Sequence, residues 1–297
     1  MIQNIDLIDK LKKTKSVIAN ANNSITINSA KQATEMGLIE PILVGDKKFI
    51  QSELEKLKWQ IDSKNIVNAR DEAESAHISC KLAKNEQISL IIKGHMHTDI
   101  LMGEYIKSEH ALRLKGERLS HIWFMTFKDN ERDPIIITDG ALNIKPSLET
   151  KKSIINNVIN FTSKIKNFDP KIAILSATEE ILDQMESSSD AGKLMEWSKK
   201  SLPNQKIFGP LAFDNAISKE AASIKGISNP VAGNANIIIV PNIETGNALV
   251  KIMVNFMNCI AGGFIVGGKV PVVITSRSDN VESRLSSISN AILSIDR

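Results

Sequence analysis

Residues 88–105 read ISLIIKGHMHTDILMGEY, and this short stretch contains the pattern that decides the fold. Its first six residues are mostly Ile and Leu, as in a buried β-strand. A glycine and several polar residues follow, and the end of the stretch has the spacing of a helix. The stretch therefore predicts a strand, a polar loop and a helix in that order.

The same order recurs along the chain. Further strand-like runs are PILVG (41–45), HIWFMTF (121–127), PIIITDG (134–140), KIAILS (171–176), NIIIVP (236–241) and VPVVITS (270–276), and helix-like spacing covers 24–37, 70–85, 148–166 and 244–260. Several of the strand-like runs are apolar on both faces, which is typical of a parallel sheet covered by helices on both sides. The sequence predicts an α/β protein.

Length and charge limit the function. A chain of 297 residues is long enough for about two domains. Its 37 basic and 34 acidic residues are interspersed, so we expect neither nucleic acid nor a membrane surface as a partner. We see no secretory leader, and the longest apolar stretch is interrupted by glycines, Lys269 and Pro271, so we expect a cytoplasmic protein without a membrane span. Cys80 and Cys259 are too far apart for a redox pair or a zinc set.

Ligands of open α/β sheets bind beyond the carboxyl ends of the strands. One such loop is Ser276-Arg277-Ser278-Asp279, between the strand 270–275 and a helix. A guanidinium, a hydroxyl and helix-start amides together form a ready anion site. The compatible structural interpretation is an N-cap at Ser278 or Asp279, with Glu282 completing a capping box from Asp279.

A second loop opens the helix predicted over residues 244–260. Spacing of three and four predicts a buried stripe of Leu249, Ile252, Met253, Phe256, Met257 and Ile260, with Asn247, Lys251, Asn255 and Asn258 on the opposite face. This polar face is either a solvated surface or a ligand-binding one. Gly246, placed where a turn opens the helix, favours binding.

The third loop is KGHMHTD, residues 93–99, in which two histidines are one residue apart. H-x-H alone is a weak metal signal, and no other histidine stands at a recognisable ligand spacing. We therefore expect a loop that binds a polar ligand or caps the next helix through Thr98 or Asp99, and no metal. The glycine-rich AGGFIVGGK, 261–269, lacks the phosphate-binding motifs and predicts a tight connection between helix and strand.

These three loops, in this order, resemble the phosphate acetyl/butyryltransferase family, and the phosphate butyryltransferases most. The resemblance rests on the block 209–280 and on KGHMHTD, RLSHIWFM (118–125), ITDGALNIKPSLETK (137–151) and LSATEEILDQMESSSDAGKLMEW (175–197). It implies transfer of a short acyl group, butyryl or acetyl, between CoA and inorganic phosphate, with no metal and no cofactor. It also implies a homodimer or larger homo-oligomer.

The resemblance implies an architecture as well. Two α/β lobes would flank a cleft, as in the isocitrate and isopropylmalate dehydrogenases, with residues 1–139 and 268–297 in the first lobe and 140–267 in the second. The cleft residues implied by the family motifs are His97, Thr98, Asn247, Lys251, Ser276 and Arg277. Arg113 and Arg118 lie in a stretch similar to the family's L-R-x-x-R-R-x-S-H. They are candidates either for binding the CoA phosphates or for a solvated or interlobe role.

The chemistry also needs a general base, because a thiol with a reference pKa near 8.5 must become a nucleophile. The family's acetyltransferases have an aspartate seven residues after the motif serine, and here that position is Ser283. Glu282 is the candidate base and Asp279 its rival. Met102 stands where the acetyltransferases have an arginine, which favours the butyryltransferase branch.

Two alternatives remain at this point. The chain could be a catalytically weak or inactive CoA-binding protein of the same fold, disabled at position 283. A metal- and NAD-dependent decarboxylating dehydrogenase would use the same architecture, but it needs clustered aspartates that the sequence does not offer.

Overall fold

The computed structural model describes residues 13–129, 132–275 and 279–295. The chain forms two compact units, Met1–Leu119 with Gly262–Arg297 and Ser120–Ala261. The predicted boundaries were 139/140 and 267/268. The first differs because strands 120–126 and 135–138 pair antiparallel, with Trp123 opposite Ile137, which keeps both strands in the second unit.

The first unit is built on a mostly parallel sheet with the strand order β3-β2-β1-β4-β11-β10. Only β10 runs antiparallel to its neighbour β11. The strands are β1 (Thr14–Ala19), β2 (Ile39–Gly45), β3 (Ile66–Asn68), β4 (Leu90–Lys93), β10 (Ile260–Val266, whose first two residues belong to the second unit) and β11 (Val272–Val273). The helices are α1 (Ser24–Glu35), α2 (Lys47–Lys56), α3 (Glu72–Lys84), α4 (Thr98–Tyr105) and α10 (Val281–Leu293), with single 3-10 turns at Ser63–Asn65 and Ser108–His110.

The second unit has the strand order β5-β6-β9-β7-β8, parallel except for the β5–β6 pair. The strands are β5 (Ser120–Thr126), β6 (Ile135–Thr138), β7 (Lys171–Leu175), β8 (Lys206–Leu211) and β9 (Ile237–Ile239). The helices are α5 (Leu148–Thr162), α6 (Glu186–Ser201), α7 (Phe213–Ile217), α8 (Lys219–Ile224) and α9 (Ile243–Asn255). All three isoleucines of β9 are buried in the core of this unit.

Side-chain caps set where several helices begin. Asn23, Asp71 and Asn242 each accept a hydrogen bond from a backbone N–H in the first turn of α1, α3 and α9. Such caps satisfy donors that have no partner inside the helix. Because Asn23 and Asn242 follow β1 and β9 after short loops, α1 and α9 start near the carboxyl edges of the strands.

The α/β prediction is confirmed, and all seven predicted strands are present. Strands β1, β3, β8 and β10 were missed. The prediction of a tight connection at 261–269 was wrong for its first part, because residues 260–266 form the buried strand β10. Among the described residues, no helix combines the length and the apolar character needed to cross a membrane.

Candidate active site

The carboxyl ends of β1, β4 and β11 are neighbours at one edge of the first unit, because β4 pairs in parallel with both other strands. The loop with His97 follows β4, and the predicted catalytic loop follows β11. Among the described residues, His97, Thr98, Asp279 and Glu282 therefore belong to segments next to the same edge of the sheet, whereas Arg113 and Arg118 do not. This is the edge where open α/β sheets bind ligands.

His97 and Thr98 are at the start of α4. His97 is the N-cap residue but makes no side-chain capping bond; Thr98 and Asp99 are already helical, so neither is the cap. Instead the backbone N–H of His97 donates to Glu72 Oε2 at 2.9 Å, and its ring Nδ1 lies 3.1 Å from the same oxygen. Burial acts to raise the pKa of Glu72, but the hydrogen bonds from His97 outweigh this and lower it. Glu72 therefore fixes the loop as a carboxylate.

Ser276, Arg277 and Ser278 lie outside the described residues. Asp279, the next residue, is half-buried. The N-cap of α10 is Asn280, whose side chain accepts a hydrogen bond from the backbone N–H of Ser283 at 2.9 Å. The predicted capping box between Asp279 and Glu282 was therefore wrong by one residue. Glu282 is exposed in the first turn, whereas Ser283 is buried.

Two buried cations at this edge were not predicted. Lys93 and Arg284 are 5% and 7% exposed, and they line a small cavity of about 70 Å³. Lys93 Nζ donates to Met96 O at 2.9 Å, and Arg284 donates to Thr275 Oγ1 at 3.1 Å and to Asp279 O at 3.2 Å. A signal was present in the sequence, since Lys93 ends an otherwise apolar strand.

Arg113 belongs to a different surface of the first unit. It forms an isolated antiparallel bridge with Gly268 and lines a pocket of about 470 Å³ within residues 106–118. Lys107, Lys115 and Arg118 line the same pocket. Their positive charges, with Glu117 as the acidic exception, make this pocket suitable for phosphate groups.

The histidines that the structure brings together are His77 and His110, rather than His95 and His97. Their ring nitrogens lie 2.9 Å and 2.6 Å from Glu104 Oε1, and the other oxygen of Glu104 pairs with Lys107. Burial raises the pKa of Glu104, but the hydrogen bonds from Lys107, His110 and His77 together lower it to about 2. These donors satisfy the buried carboxylate, so the group is a hydrogen-bonding network that connects α3 and α4.

In the second unit, Asn247 and Lys251 are one helical turn apart on α9 and both are exposed. Asn247 Nδ2 donates weakly to Gly140 O at 3.5 Å. Asn255 continues the same face, but Asn258 lies beyond the end of the helix with a φ of +54°. The predicted polar face is thus real for three of its four residues.

The predicted apolar stripe was wrong for three of its six residues, since Met253 and Ile260 are buried as predicted and Leu249 is half-buried. The buried residues of α9 are Gly246, Val250 and Met253, whereas Ile252, Met257 and Phe256 are exposed, Phe256 by 86%. The reason is the contact made by Gly246. A side chain there would come within 2.6 Å of Gly140 Cα, so the glycine lets the helix sit directly on the loop after β6.

That loop is fixed by Asp139, which is buried at the end of β6. Its carboxylate accepts hydrogen bonds from the backbone N–H groups of His121, Ala141 and Leu142, at 2.9, 3.0 and 2.9 Å, and from Asn143 Nδ2 at 2.6 Å. Burial outweighs these bonds and raises the pKa of Asp139. Asp139 therefore holds Gly140, and through it the start of α9 and Asn247.

The carboxyl ends of β7 and β9 open onto a larger pocket of about 730 Å³ in the second unit. Ser176, Ser187, Asn242 and Thr245 contribute polar groups to its wall. Lys151 also lines it and is buried in an ion pair with Asp190 at 2.8 Å. None of these residues was singled out from the sequence.

Comparison with known proteins identifies the family. The family model described as "Phosphate acetyl/butaryl transferase" matches residues 113–292. The chain belongs to this family. The phosphate acetyltransferase of Rickettsia prowazekii (strain Madrid E) is 36% identical over 279 residues, covering 93% of this chain and 79% of the relative. The probable phosphate butyryltransferase of Bacillus subtilis (strain 168) is 34% identical over 292 residues, covering 97% and 96%. The predicted family is confirmed.

Solved structures of related transferases support the fold. A branched-chain phosphotransacylase from Enterococcus faecalis V583 has a TM-score of 0.79 and 32% identity, with coverage of 95% of this chain and 98% of that one. A 4-hydroxythreonine-4-phosphate dehydrogenase from Burkholderia phymatum has a TM-score of 0.56 at 11% identity, covering 96% and 100%, and shares the fold alone. The predicted likeness of the fold to a dehydrogenase architecture is thereby confirmed.

Proposed function

We propose that this protein transfers a short acyl group between CoA and inorganic phosphate. The observation that carries the proposal is membership of the transferase family over residues 113–292, together with relatives of both names that cover more than nine-tenths of the chain. In one direction the thioester C–S bond breaks, a bond from the acyl carbon to a phosphate oxygen forms, and the thiol takes a proton. No atom changes its oxidation state, so the reaction calls for no redox cofactor, and we propose that it needs no metal either.

In the reverse direction the CoA thiol attacks the carbonyl of the acyl phosphate and expels phosphate. We assign proton removal from the thiol to Glu282, with Asp279 as its rival, because each is a carboxylate next to the loop that follows β11. Ser276 would hydrogen-bond near the thiol, and Arg277 would stabilise the phosphoryl or carbonyl oxygen. Donors fixed before the reaction stabilise developing negative charge without reorganisation.

We assign further donors for the substrate to two other segments. Asn247 and Lys251 present an amide and an ammonium on the exposed face of α9. His97 and Thr98 open α4, where the helix N-terminus favours an anionic group. Within the second unit Asp139 fixes the loop next to Asn247, and within the first unit Glu72 fixes the loop with His97. Donors held in this way are what a preorganised site needs.

The CoA phosphates are the proposed ligands of the basic pocket around Arg113. Its 470 Å³ volume and its four cations, Lys107, Arg113, Lys115 and Arg118, suit an extended polyanion. Neutralising Arg113 should therefore raise KM for acyl-CoA and leave KM for phosphate near its starting value.

For the acyl group we propose butyryl over acetyl. Met102 is buried in α4, so the position that carries an arginine in the acetyltransferases is apolar here. Relatives of both names are about equally similar to this chain, so the preference rests on this residue.

A homodimer or larger homo-oligomer is part of the proposal. Ile252, Val254, Phe256 and Met257 form an exposed apolar group at the end of α9. Exposed apolar residues are one mark of an interaction site, and a second copy of the chain is the occupant we propose. Both cysteines are free and buried, as in reducing compartments, which supports a cytoplasmic location.

The test mixes purified protein with phosphate and either acetyl-CoA or butyryl-CoA, without added metal, and measures thiol release. A reaction without phosphate is the control for simple hydrolysis. Phosphate-dependent release that is faster with butyryl-CoA supports the proposal. Tight CoA binding without release from any acyl-CoA between acetyl and octanoyl would instead support the alternative of an inactive CoA-binding protein.

A further inference from the structure

We propose that the cavity between Lys93 and Arg284 binds an oxyanion of a substrate phosphate group. The identity of the ligand of this Lys93–Arg284 pocket rests on the proposed function. The ligand is either inorganic phosphate, together with the phosphoryl group of an acyl phosphate, or a phosphate group of CoA. No family motif used above assigns either residue.

The position of the pocket is the first argument. Its lining comes from three places: Asn23, Ile25 and Thr26 after β1, residues 93–95 at the end of β4, and Thr275 after β11 with Arg284 from α10. These are the carboxyl ends of three neighbouring strands. In the sequence, Thr275 directly precedes Ser276, to which part of the proposed chemistry is assigned.

Charge is the second argument. Lys93 and Arg284 are both more than nine-tenths buried, and of the described residues that line the pocket none is acidic. Burying a cation is costly unless it is paired or hydrogen-bonded to a suitable partner. Burial lowers the pKa of Arg284, while the nearby Asp279 opposes this shift. Because both cations line the pocket and no described residue of its lining is acidic, the pocket is suited to an anion.

Size and hydrogen-bond donors are the third argument. A cavity needs roughly 10–15 Å³ to hold one water, so about 70 Å³ admits the oxygens of a phosphate but no nucleotide. Thr26 and Thr275 bring hydroxyl groups. The twelve-residue helix α1 begins at this pocket, and its N-terminus adds a favourable partial charge.

A purely structural role for Lys93 is the competing explanation, since its ammonium binds the carbonyl oxygen of Met96 in the loop before His97. The two roles predict different kinetics. A loop brace would disturb kcat and both KM values together. An anion ligand would change the response to one phosphate-bearing substrate selectively, and Lys93→Arg would retain part of the binding.

The experiment uses Lys93→Met and Arg284→Met, with Lys31→Met on α1 as the control for losing a lysine elsewhere. Phosphate binding is measured by calorimetry in the absence of CoA, and KM is measured separately for phosphate, butyryl-CoA and butyryl-3′-dephospho-CoA. We expect wild type and Lys31→Met to bind phosphate alike and the two pocket variants to bind it at least ten-fold more weakly, with KM for phosphate raised by the same factor. Thr26→Val, which removes only a hydroxyl, replaces any variant that does not fold.

The outcomes separate the sources and the hypotheses. A selective rise in KM for butyryl-CoA, absent with the dephospho compound, supports the pocket and assigns it to the 3′-phosphate of CoA. Phosphate binding that depends on Lys93 in a protein without acyl transfer would sink the proposed function and leave the pocket standing. Normal turnover with unchanged phosphate binding and unchanged KM values in both pocket variants would overturn the inference.

Discussion

Gly246→Ala tests whether the start of α9 needs the close contact with the loop after β6. An added Cβ would lie 2.6 Å from Gly140 Cα, 3.0 Å from Val240 Cγ2 and 3.2 Å from Asp139 O. Relieving the first contact to 3.4 Å means moving two backbone segments apart by about 0.8 Å, and neither is a flexible side-chain end. Gly103→Ala in α4 is the matched control, because nothing lies within 4 Å of its added Cβ.

Both substitutions replace a helical glycine, so each gains about 1 kcal/mol of helix propensity. Gly246→Ala alone adds overpacking, which costs about 1–3 kcal/mol. We therefore expect Gly246→Ala to be about 1–3 kcal/mol less stable than Gly103→Ala in urea unfolding followed by circular dichroism. Displacement of Asn247 should also lower kcat/KM by about 10- to 100-fold, since a 1 Å misplacement can cost about 10²-fold. Equal stability of the two variants, with equal activity, would refute the contact argument.

Three further predictions follow from individual side chains. Glu282→Gln should lower kcat by about 10²- to 10⁴-fold if it is the general base; an unchanged kcat in the thiol-release assay would transfer the role to Asp279. Burial lowers the pKa of His121 to about 3, below its value near 6.5 in the unfolded chain. Between these two pH values the unfolded chain binds more protons than the folded one, so the stability that is present above pH 6.5 is lost as the pH falls toward 3. Between pH 7 and 5 the free energy of unfolding should fall by about 2 kcal/mol. In urea unfolding this fall should be smaller for His121→Leu and unchanged for the control His95→Leu, which replaces an exposed histidine. Burial raises the pKa of the Cys80 thiol to about 12 and also raises that of Cys259, so neither should react with a thiol reagent at pH 8 until denaturant is added; rapid labelling of the native protein would contradict this.

The strands that could be predicted from sequence are those in which apolar residues follow each other without interruption. Strand β9 is three consecutive isoleucines, and all of them are buried. Strand β10 was missed because its glycines resemble a turn, yet the structure explains them by packing. A Cβ at Gly262 would come within 2.7 Å of Ser286 Oγ on α10. From a single sequence, a glycine that lets a helix pack closely on a strand cannot be distinguished from a glycine that forms a turn.

The orientation of α9 shows a second limit. Counting apolar residues predicted a buried face through Ile252 and Phe256, but the small residue Gly246 decides which face reaches the core. Hydrophobic periodicity does not reveal a close backbone approach, since the residue that makes it possible contributes no apolar surface. The exposed apolar residues left on α9 then require a separate explanation, and association with a second copy supplies one.

Candidate site residues could be proposed from the sequence where a family motif contains them, but not where only their burial in the structure draws attention to them. His97 and Asn247 were proposed through motifs. Lys93 lies in the stretch KGHMHTD without having been singled out, and Arg284 follows the predicted catalytic loop and was not considered. Burying a charged residue at the end of a strand costs folding free energy. Once the structure shows that such a residue is buried, the residue is a candidate for a functional role.

The first turn of α10 shows why the general base remains the deciding question for this chain. One residue turns a helix by about 100°, and here it separates the exposed Glu282 from the buried Ser283. The next residue, Arg284, is buried with its guanidinium on Thr275. A carboxylate at 283 would therefore start from the interior side of the helix, next to a cation, whereas Glu282 starts from the solvent side. A carboxylate at 282 therefore points in a different direction from one at 283. If Glu282 serves as the base, the thiol must approach α10 from its exposed face.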